Sequence, residues 1–371
     1  MIDVTQVLVQ GFTQGLVYAL LAMGIALVYR TTRVLNFAHG ELLIVAVFIL
    51  YVLNTNPIKP IPYGAAVVIA LVVTILLGML EYLVAVKSSS WAMMVVVTLA
   101  AGWLLAGTYG AFWWIIVIAA GAAVTVFAWR HPAKPLEGSL GWILGTIAFA
   151  IILQEGLVTA IGATEEQQAI PGLFGDLGPL NVGGVIISGA SVATAACAIV
   201  IIVALDLVES RTRFGRAMKA VAYDEDAAAL MGINVPVVLY GAFALAAAAA
   251  AIAGFLITPL TFAQPTGGPA FTVIALTAAL LGGIDRVRTA AIGGLLLGMI
   301  EIGLGRFLDT LGRMVGDGNI PLRSLRDAIV LSLLIAILVF RPRGLFGSPG
   351  SDPLKTTIGG PLASLFGTKS P

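Results

Sequence analysis

The densest run of chemically capable side chains is Asn36, Phe37, Ala38, His39, Gly40 and Glu41. An amide, an imidazole and a carboxyl group lie close together, with His39 and Glu41 two positions apart. Residues two apart do not share a helix face, which disfavours a metal pair of the His-x-Glu kind. An imidazole titrates near neutral pH and can relay a proton. The competing reading is structural. Asn36 and His39 would satisfy backbone groups at a tight turn between apolar segments, and Gly40 would let two helices approach closely. The residues favour the structural reading, with a position bordering a solute pathway as the functional alternative. Gln154, Glu155 and Glu301 form a second set, each interrupting an apolar run. Acidic groups within a bilayer normally face an interior or a cavity, so Glu155 and Glu301 are candidates to line a route, with helix-to-helix pairing as the alternative. Glu81 is close enough to Lys87 to reach the membrane surface. One cysteine, Cys197, and two distant histidines, His39 and His131, leave no metal-ligand cluster to read. No cofactor is indicated.

The elements that must position these groups follow from composition. Hydrophobic residues make up 59% of the 371, charged residues 11%, and the mean hydropathy is +1.03. Soluble domains carry roughly 25% charged residues, so this chain cannot clothe itself for water. With a net charge of +1, nothing indicates a nucleic-acid partner. Apolar segments run over 6–29, 38–54, 63–86, 91–107, 111–129, 139–162, 184–207, 236–260, 270–283, 288–305 and 327–340. These give about eleven candidate spans. The segments 270–283 and 327–340 are short enough to be re-entrant half-helices. The expected fold class is all-α, a polytopic transmembrane helix bundle, because only helices and closed barrels satisfy the backbone in lipid and barrel strands would alternate in hydropathy. No basic residue precedes Arg30, so the first stretch reads as a retained span rather than a cleaved signal.

With the N-terminus outside and alternating spans, all but five of the 20 basic residues fall on the inner side, the exceptions being Lys59, Arg306, Arg313, Arg323 and Arg326. The positive-inside rule therefore predicts N-out and C-in. All six tryptophans lie between positions 91 and 142, five of them near predicted span ends, which supports a helical hairpin over 91–129. Gly11/Gly15, Gly141/Gly145 and Gly294/Gly298 have the spacing of close helix contacts, a signal diluted by the 43 glycines in the chain.

The most informative polar stretch is 209–236. It predicts two short helices, the first over about 214–222. Asp224 would cap the second, Gly232 would end it in the left-handed region, and Pro236 suits the first turn of the next span. An amphipathic element of this kind can seat in a groove of a soluble partner, and a plain solvated connector is the alternative.

Within it, Gly215, Arg216, Ala217, Ala220, Ala228, Met231, Gly232, Ile233 and Asn234 match a pattern of ABC importer permeases of the branched-chain amino acid type. Asn36, Phe37, Ala38, His39, Gly40 and Glu41 reproduce a second motif of that family, preceded by Gly15, Tyr18, Ala19 and Leu20. The stretches 282–301 and 339–347 add C-terminal matches. The chain thus resembles that family over 1–60 and 135–347. The resemblance implies that 208–235 is a cytoplasmic coupling loop, with Asp224 among its residues, seated on an ABC ATPase subunit. It also implies a second permease subunit, self or sister, and an extracytoplasmic substrate-binding protein. Residues 1–347 would be the transmembrane domain, 87–130 an extra helical hairpin, and 348–371 a flexible cytoplasmic tail. No Gly-Lys pair occurs, so a P-loop is missing and the chain is expected not to be an enzyme, ATP hydrolysis falling to a separate subunit. The expected role is ATP-driven import of a small polar solute, branched-chain amino acids by family default, across the inner (plasma) membrane. An ion-coupled secondary transporter built on mid-membrane carboxylates is the alternative.

Overall fold

The computed structural model describes residues 4–55, 60–87, 139–161, 174, 177–182, 185–258, 263–315, 325–340 and 344–346. Its helices are α1 (Val4–Thr32), α2 (His39–Asn54), α3 (Tyr63–Glu81, continued by a π-helical turn Tyr82–Lys87) and α4 (Ser139–Ile161). A hairpin of β1 (Pro179–Val182) and β2 (Val185–Ser188) follows. Then come α5 (Gly189–Arg211), α6 (Arg213–Tyr223), α7 (Glu225–Leu230), α8 (Val235–Ile257), α9 (Gly268–Gly282), α10 (Val287–Val315) and α11 (Leu325–Phe340). Among the described residues six helices are long and apolar enough to cross a membrane, while α2 and α9 are shorter apolar helices. The spans expected at 91–107 and 111–129, with five of the tryptophans, lie outside the described residues. Trp142 is on α4 and exposed.

The span expected at 184–207 needs correction at its start, and so does a purely helical fold. Residues 185–188 pair antiparallel with β1, and the helix begins only at Gly189. The run Val185, Ile186, Ile187 is apolar enough to read as span, yet its β-branched side chains suit a strand once a partner is present. The segment expected at 288–305 is also longer, since α10 continues to Val315.

The bundle is built around α1, whose apolar window is 94% buried, whereas that of α5 is 17% buried and leaves its large side chains outward. In lipid there is no hydrophobic drive between apolar helices, so close packing must come from small residues. Helix α1 runs antiparallel to α10 on such a seam. A methyl group on Gly15 would stand 2.6 Å from the Leu295 carbonyl oxygen, one on Gly294 would stand 2.6 Å from the Tyr18 carbonyl carbon, and one on Gly298 would overlap Gly15. Two of the three Gly-x-x-x-Gly spacings therefore face each other. Helix α8 is the second central element. Its buried Ala242, Ala246, Ala247, Ala250 and Gly254 let α1, α2 and α3 approach its backbone.

One end of the bundle carries α6 and α7, and the opposite end carries the hairpin and the start of α1. Replacing Gly15 with Leu is expected to cost about 1–3 kcal/mol by overpacking the seam and to lower the amount of folded protein in the membrane. Gly303→Ala, where nothing lies within 4 Å of the added carbon, is the neutral control. Fluorescence-detected gel filtration of both variants checks this.

Candidate functional site

Helix α1 ends where Arg33 adopts φ 59°, a left-handed conformation unusual for a residue with a side chain. Its amide donates to the Tyr29 carbonyl at 2.7 Å, closing the helix. Its guanidinium reaches Asp285 at 3.2 Å and lies 5.9 Å above the Tyr29 ring. From there the chain turns back into the bundle. The Asn36 Oδ1 accepts from the Ala38 amide at 2.8 Å, a local turn that prepares the start of α2.

Helix α2 begins deep inside. The His39 ring packs on α1 at Gly24, where an added methyl would stand 2.6 Å from Nε2, and near Ala246 of α8. Gly24 is eight residues from the end of α1, so this level lies about 12 Å inside the loop end. Helix α9 begins at the same depth, because Gly40 meets the Gly268 carbonyl and Thr272. The two helices then diverge, α2 toward the hairpin end and α9 toward the loop end. With 16 and 15 residues they span about 24 and 22 Å, less than a hydrocarbon core of about 30 Å. They are short helices whose N-termini meet.

Thr272 ties the meeting point. Its hydroxyl accepts from the Gly40 amide at 2.9 Å, and the Phe37 and Gly268 carbonyls, both at 3.2 Å, are its alternative acceptors. Thr146 of α4 accepts from the Phe37 amide at 3.4 Å. Glu41 is 1% exposed and its carboxyl group fills the space beside Gly268 that a side chain there would need. It therefore lies in the first turn of α2 and against the first turn of α9. A helix end stabilises a carboxylate by up to about 2 kcal/mol when partly buried, against about 2.5–3.5 kcal/mol for a charge at mid-bilayer. One helix end would fall short of that cost, and two are of the right size to meet it.

His39 and Glu41 do point apart, as their spacing required, one toward α1 and α8, the other toward α9. The turn explains Asn36, but not the rest. Both ring nitrogens of His39, both oxygens of Glu41 and the Asn36 Nδ2 lack a hydrogen bond, although the His39 ring lies beside the Leu21 carbonyl. Glu81 joins this layer. It is fully buried on α3 beside the Asn36 side chain, not at the membrane surface near Lys87. Its oxygens too lack good hydrogen bonds. Buried polar atoms are normally satisfied, so their concentration at one level marks a place prepared for something other than packing.

The second set is elsewhere. Gln154 and Glu155 are half-buried on α4, and Glu155 is about 13 Å along the axis from Thr146. Glu301 is buried on α10. The register that sets Gly298 on Gly15 puts it opposite residue 12 of α1, about 18 Å from the level of Gly24. Neither belongs to the polar layer. A cavity of about 280 Å³ at the hairpin end is lined by Gln6, Gln10, Ser188 and Ser191 among others.

At the loop end, Thr212 caps α6 through the Gly215 amide at 3.0 Å, Asp224 caps α7 through Ala227 at 2.9 Å, and Asn234 caps α8 through Val237 at 3.3 Å. Gly232 has φ +83°. Gly215 lets α6 fold onto the Val208 and Glu209 carbonyls, and the tip of the Phe214 ring packs on Gly241. Met218, Val221 and Ala228 are buried, with Ala217 and Ala220 packed beside them. Arg216 is exposed and donates to the Arg211 carbonyl at 3.3 Å. Tyr223, Leu230 and Met231 are 94%, 88% and 84% exposed, an apolar tip of which only Met231 stands out in the sequence. Glu209 binds Arg30 of α1 and Lys219 of α6 (3.6 Å to the latter), and Asp206 pairs with Arg288 of α10.

Thr272→Val is expected to strand the buried Gly40 amide and cost about 1–3 kcal/mol, seen as a lowered melting temperature in detergent. Thr272→Ser restores most of it.

The family model for the permease component of branched-chain amino acid transport systems matches residues 7–338. The high-affinity branched-chain amino acid transport system permease protein BraD of Pseudomonas aeruginosa is 29% identical over 351 residues, covering 93% of this chain and 96% of that protein. The protein LivH of Escherichia coli K12, of the same description, is 29% identical over 357 residues with the same coverage. A probable branched-chain amino acid transport permease protein LivH of Methanocaldococcus jannaschii is 25% identical over 336 residues, 88% of each chain. No solved structure matches. With six apolar helices of spanning length, the chain is a multi-pass protein of the inner (plasma) membrane, and it belongs to the family of branched-chain amino acid transport permease components.

Proposed function

We propose that this chain is the membrane-spanning subunit of an ATP-driven importer of branched-chain amino acids. In this reading the loop end faces the cytoplasm, the N-terminus is outside and the C-terminus inside, with about eleven spans in all. The 208–235 loop seats on an ABC ATPase subunit, which carries the hydrolysis. A second permease chain completes the pathway, and a binding protein delivers solute at the hairpin end, where the cavity beside Gln6 and Gln10 opens. Residues 87–130 are an added hairpin. Asn36, Phe37, His39, Gly40 and Glu41, joined by Glu81, border the route at mid-depth. Gln154, Glu155 and Glu301 lie away from that layer and bear on the route only outside it.

The observation that carries the reading is the tip of the loop. Tyr223 and Leu230, which end the two capped loop helices, and Met231 just after them are large, apolar and exposed, while Met218, Val221 and Ala228 of the same helices are buried. Apolar side chains on a polar, charged loop fit a protein groove better than water. Half-helices with buried carboxylates also occur in ion-coupled transporters, and that feature favours the second reading.

The test is the double substitution Leu230→Ser and Met231→Ser. Neither side chain supports the fold, so membrane abundance should hold. Co-purification of the ATPase should fall, and ATP-dependent leucine uptake in proteoliposomes should drop about tenfold, the loss of roughly 1.4 kcal/mol of docking energy. Uptake that persists without ATP and collapses with the ion gradient would establish the secondary transporter instead.

A further inference from the structure

We propose that the meeting point of the α2 and α9 N-termini is a binding site for a zwitterionic α-amino acid, in which Glu41 stands in for the substrate carboxylate when the site is empty and pairs with the substrate ammonium group when it is filled. The inference rests on the permease reading and adds the atoms that recognise the solute.

Three observations carry it. The N-terminal residue of α9 is Gly268, its cap Gly267 provides no side-chain hydrogen bond, and Pro269 occupies the first turn. A helix start without a side-chain cap leaves backbone donors to others, here the Gly268 and Ala270 amides, since Pro269 has none and Phe271 donates to Gly267, and with the helix dipole such a start favours an anion. The Glu41 carboxyl group is almost fully buried and aimed into that start, yet neither oxygen completes a hydrogen bond. It is tethered to α2 and fills the place without fitting it. Finally, Gly24, Gly40 and Gly268 let the His39 ring, the α9 start and the Glu41 carboxyl group pack directly against backbone at this point. A free carboxylate has no tether and can align with the donors that Glu41 only approaches.

Displacement leaves Glu41 without its partner. A zwitterion supplies the replacement, because the ammonium group lies two bonds from the carboxylate carbon and carries three donors. The exchange adds no net charge to the layer. A solute with a carboxylate alone would crowd a second anion against Glu41. A solute with an ammonium group alone would leave the α9 start empty once Glu41 turned to it. Urea and simple amides offer neither group, so the site selects amino acids over them.

The test uses the full permease co-purified with its ATPase, in lipid nanodiscs without binding protein. Radiolabelled L-leucine at millimolar concentration is expected to bind saturably. Unlabelled L-leucine should displace it, and L-leucinamide and 4-methylpentanoate should compete about tenfold less well, as expected when one charged hydrogen-bonding group is lost. Glu41→Gln should weaken binding about tenfold, and Glu41→Asp should fall between. Absence of saturable binding, equal competition by leucinamide, or unchanged binding in both variants overturns the proposal. If Glu41→Gln fails to assemble, the wild-type competition and Glu41→Asp decide. Wild-type uptake separates the two failures. A complex that imports leucine with ATP while binding ignores Glu41 loses only this inference. One that imports urea or an amide also loses it while remaining an importer. One that shows no ATP-dependent uptake loses both.

Discussion

A peptide group inside hydrocarbon has no water to bond with, so a chain can leave the helical path there only where protein supplies every partner. Among the described residues the chain breaks the helical path at one level of the bundle both before α2 and before α9. Thr272 and the Asn36 turn answer the backbone groups so exposed. The rest of the bundle is arranged around that need. Glycine and alanine line α1, α8 and α10 because the irregular segments must be enclosed by backbones at close range, and α1 is buried because it forms the enclosing wall. The lipid-facing helices α4 and α5 carry the large side chains outward.

How much of this was legible in the sequence depended on the range of the interaction. Local rules worked. Asp224 as a cap and Gly232 as a stop act over three or four residues and were legible, the caps Thr212 and Asn234 were not singled out, and hydropathy located most spans to within a few positions. The short length of 270–283 was visible, and a half-helix was an admissible reading of it. The depth at which it starts was not, since that depends on Gly40 and Thr272, more than 200 residues apart. Glu81 was read toward Lys87 because the nearest charge in sequence looks like the nearest in space; its actual neighbour is Asn36. The glycine spacings carried little weight alone and became meaningful only as a pair, Gly11/Gly15 on Gly294/Gly298. The 185–188 strand was lost because an apolar β-branched run reads equally as the start of a span. The left-handed Arg33 could not be found at all, since its side-chain partner Asp285 is far along the chain.

That ion pair also bears on how the two ends of the described bundle communicate. Exposed salt bridges contribute little to stability, about 0–1 kcal/mol each, so Arg33–Asp285, Lys219–Glu209 and Arg288–Asp206 are poor candidates for holding the fold. Their value is positional. Glu209 joins the first loop helix to α1, and Arg33, three residues further along, joins the end of α1 to the turn after α9. Helix α9 is held at both ends, by Gly283 and Asp285 at the loop end and by Thr272 and Gly268 at the polar layer. A helix of about 22 Å is stiff on the scale of the shifts that packed interfaces allow, about 1–2 Å. On the proposed reading, a displacement of α6 and α7 therefore reaches the N-terminus of α9 as a rigid shift, and the element it moves is the one against which Glu41 is packed.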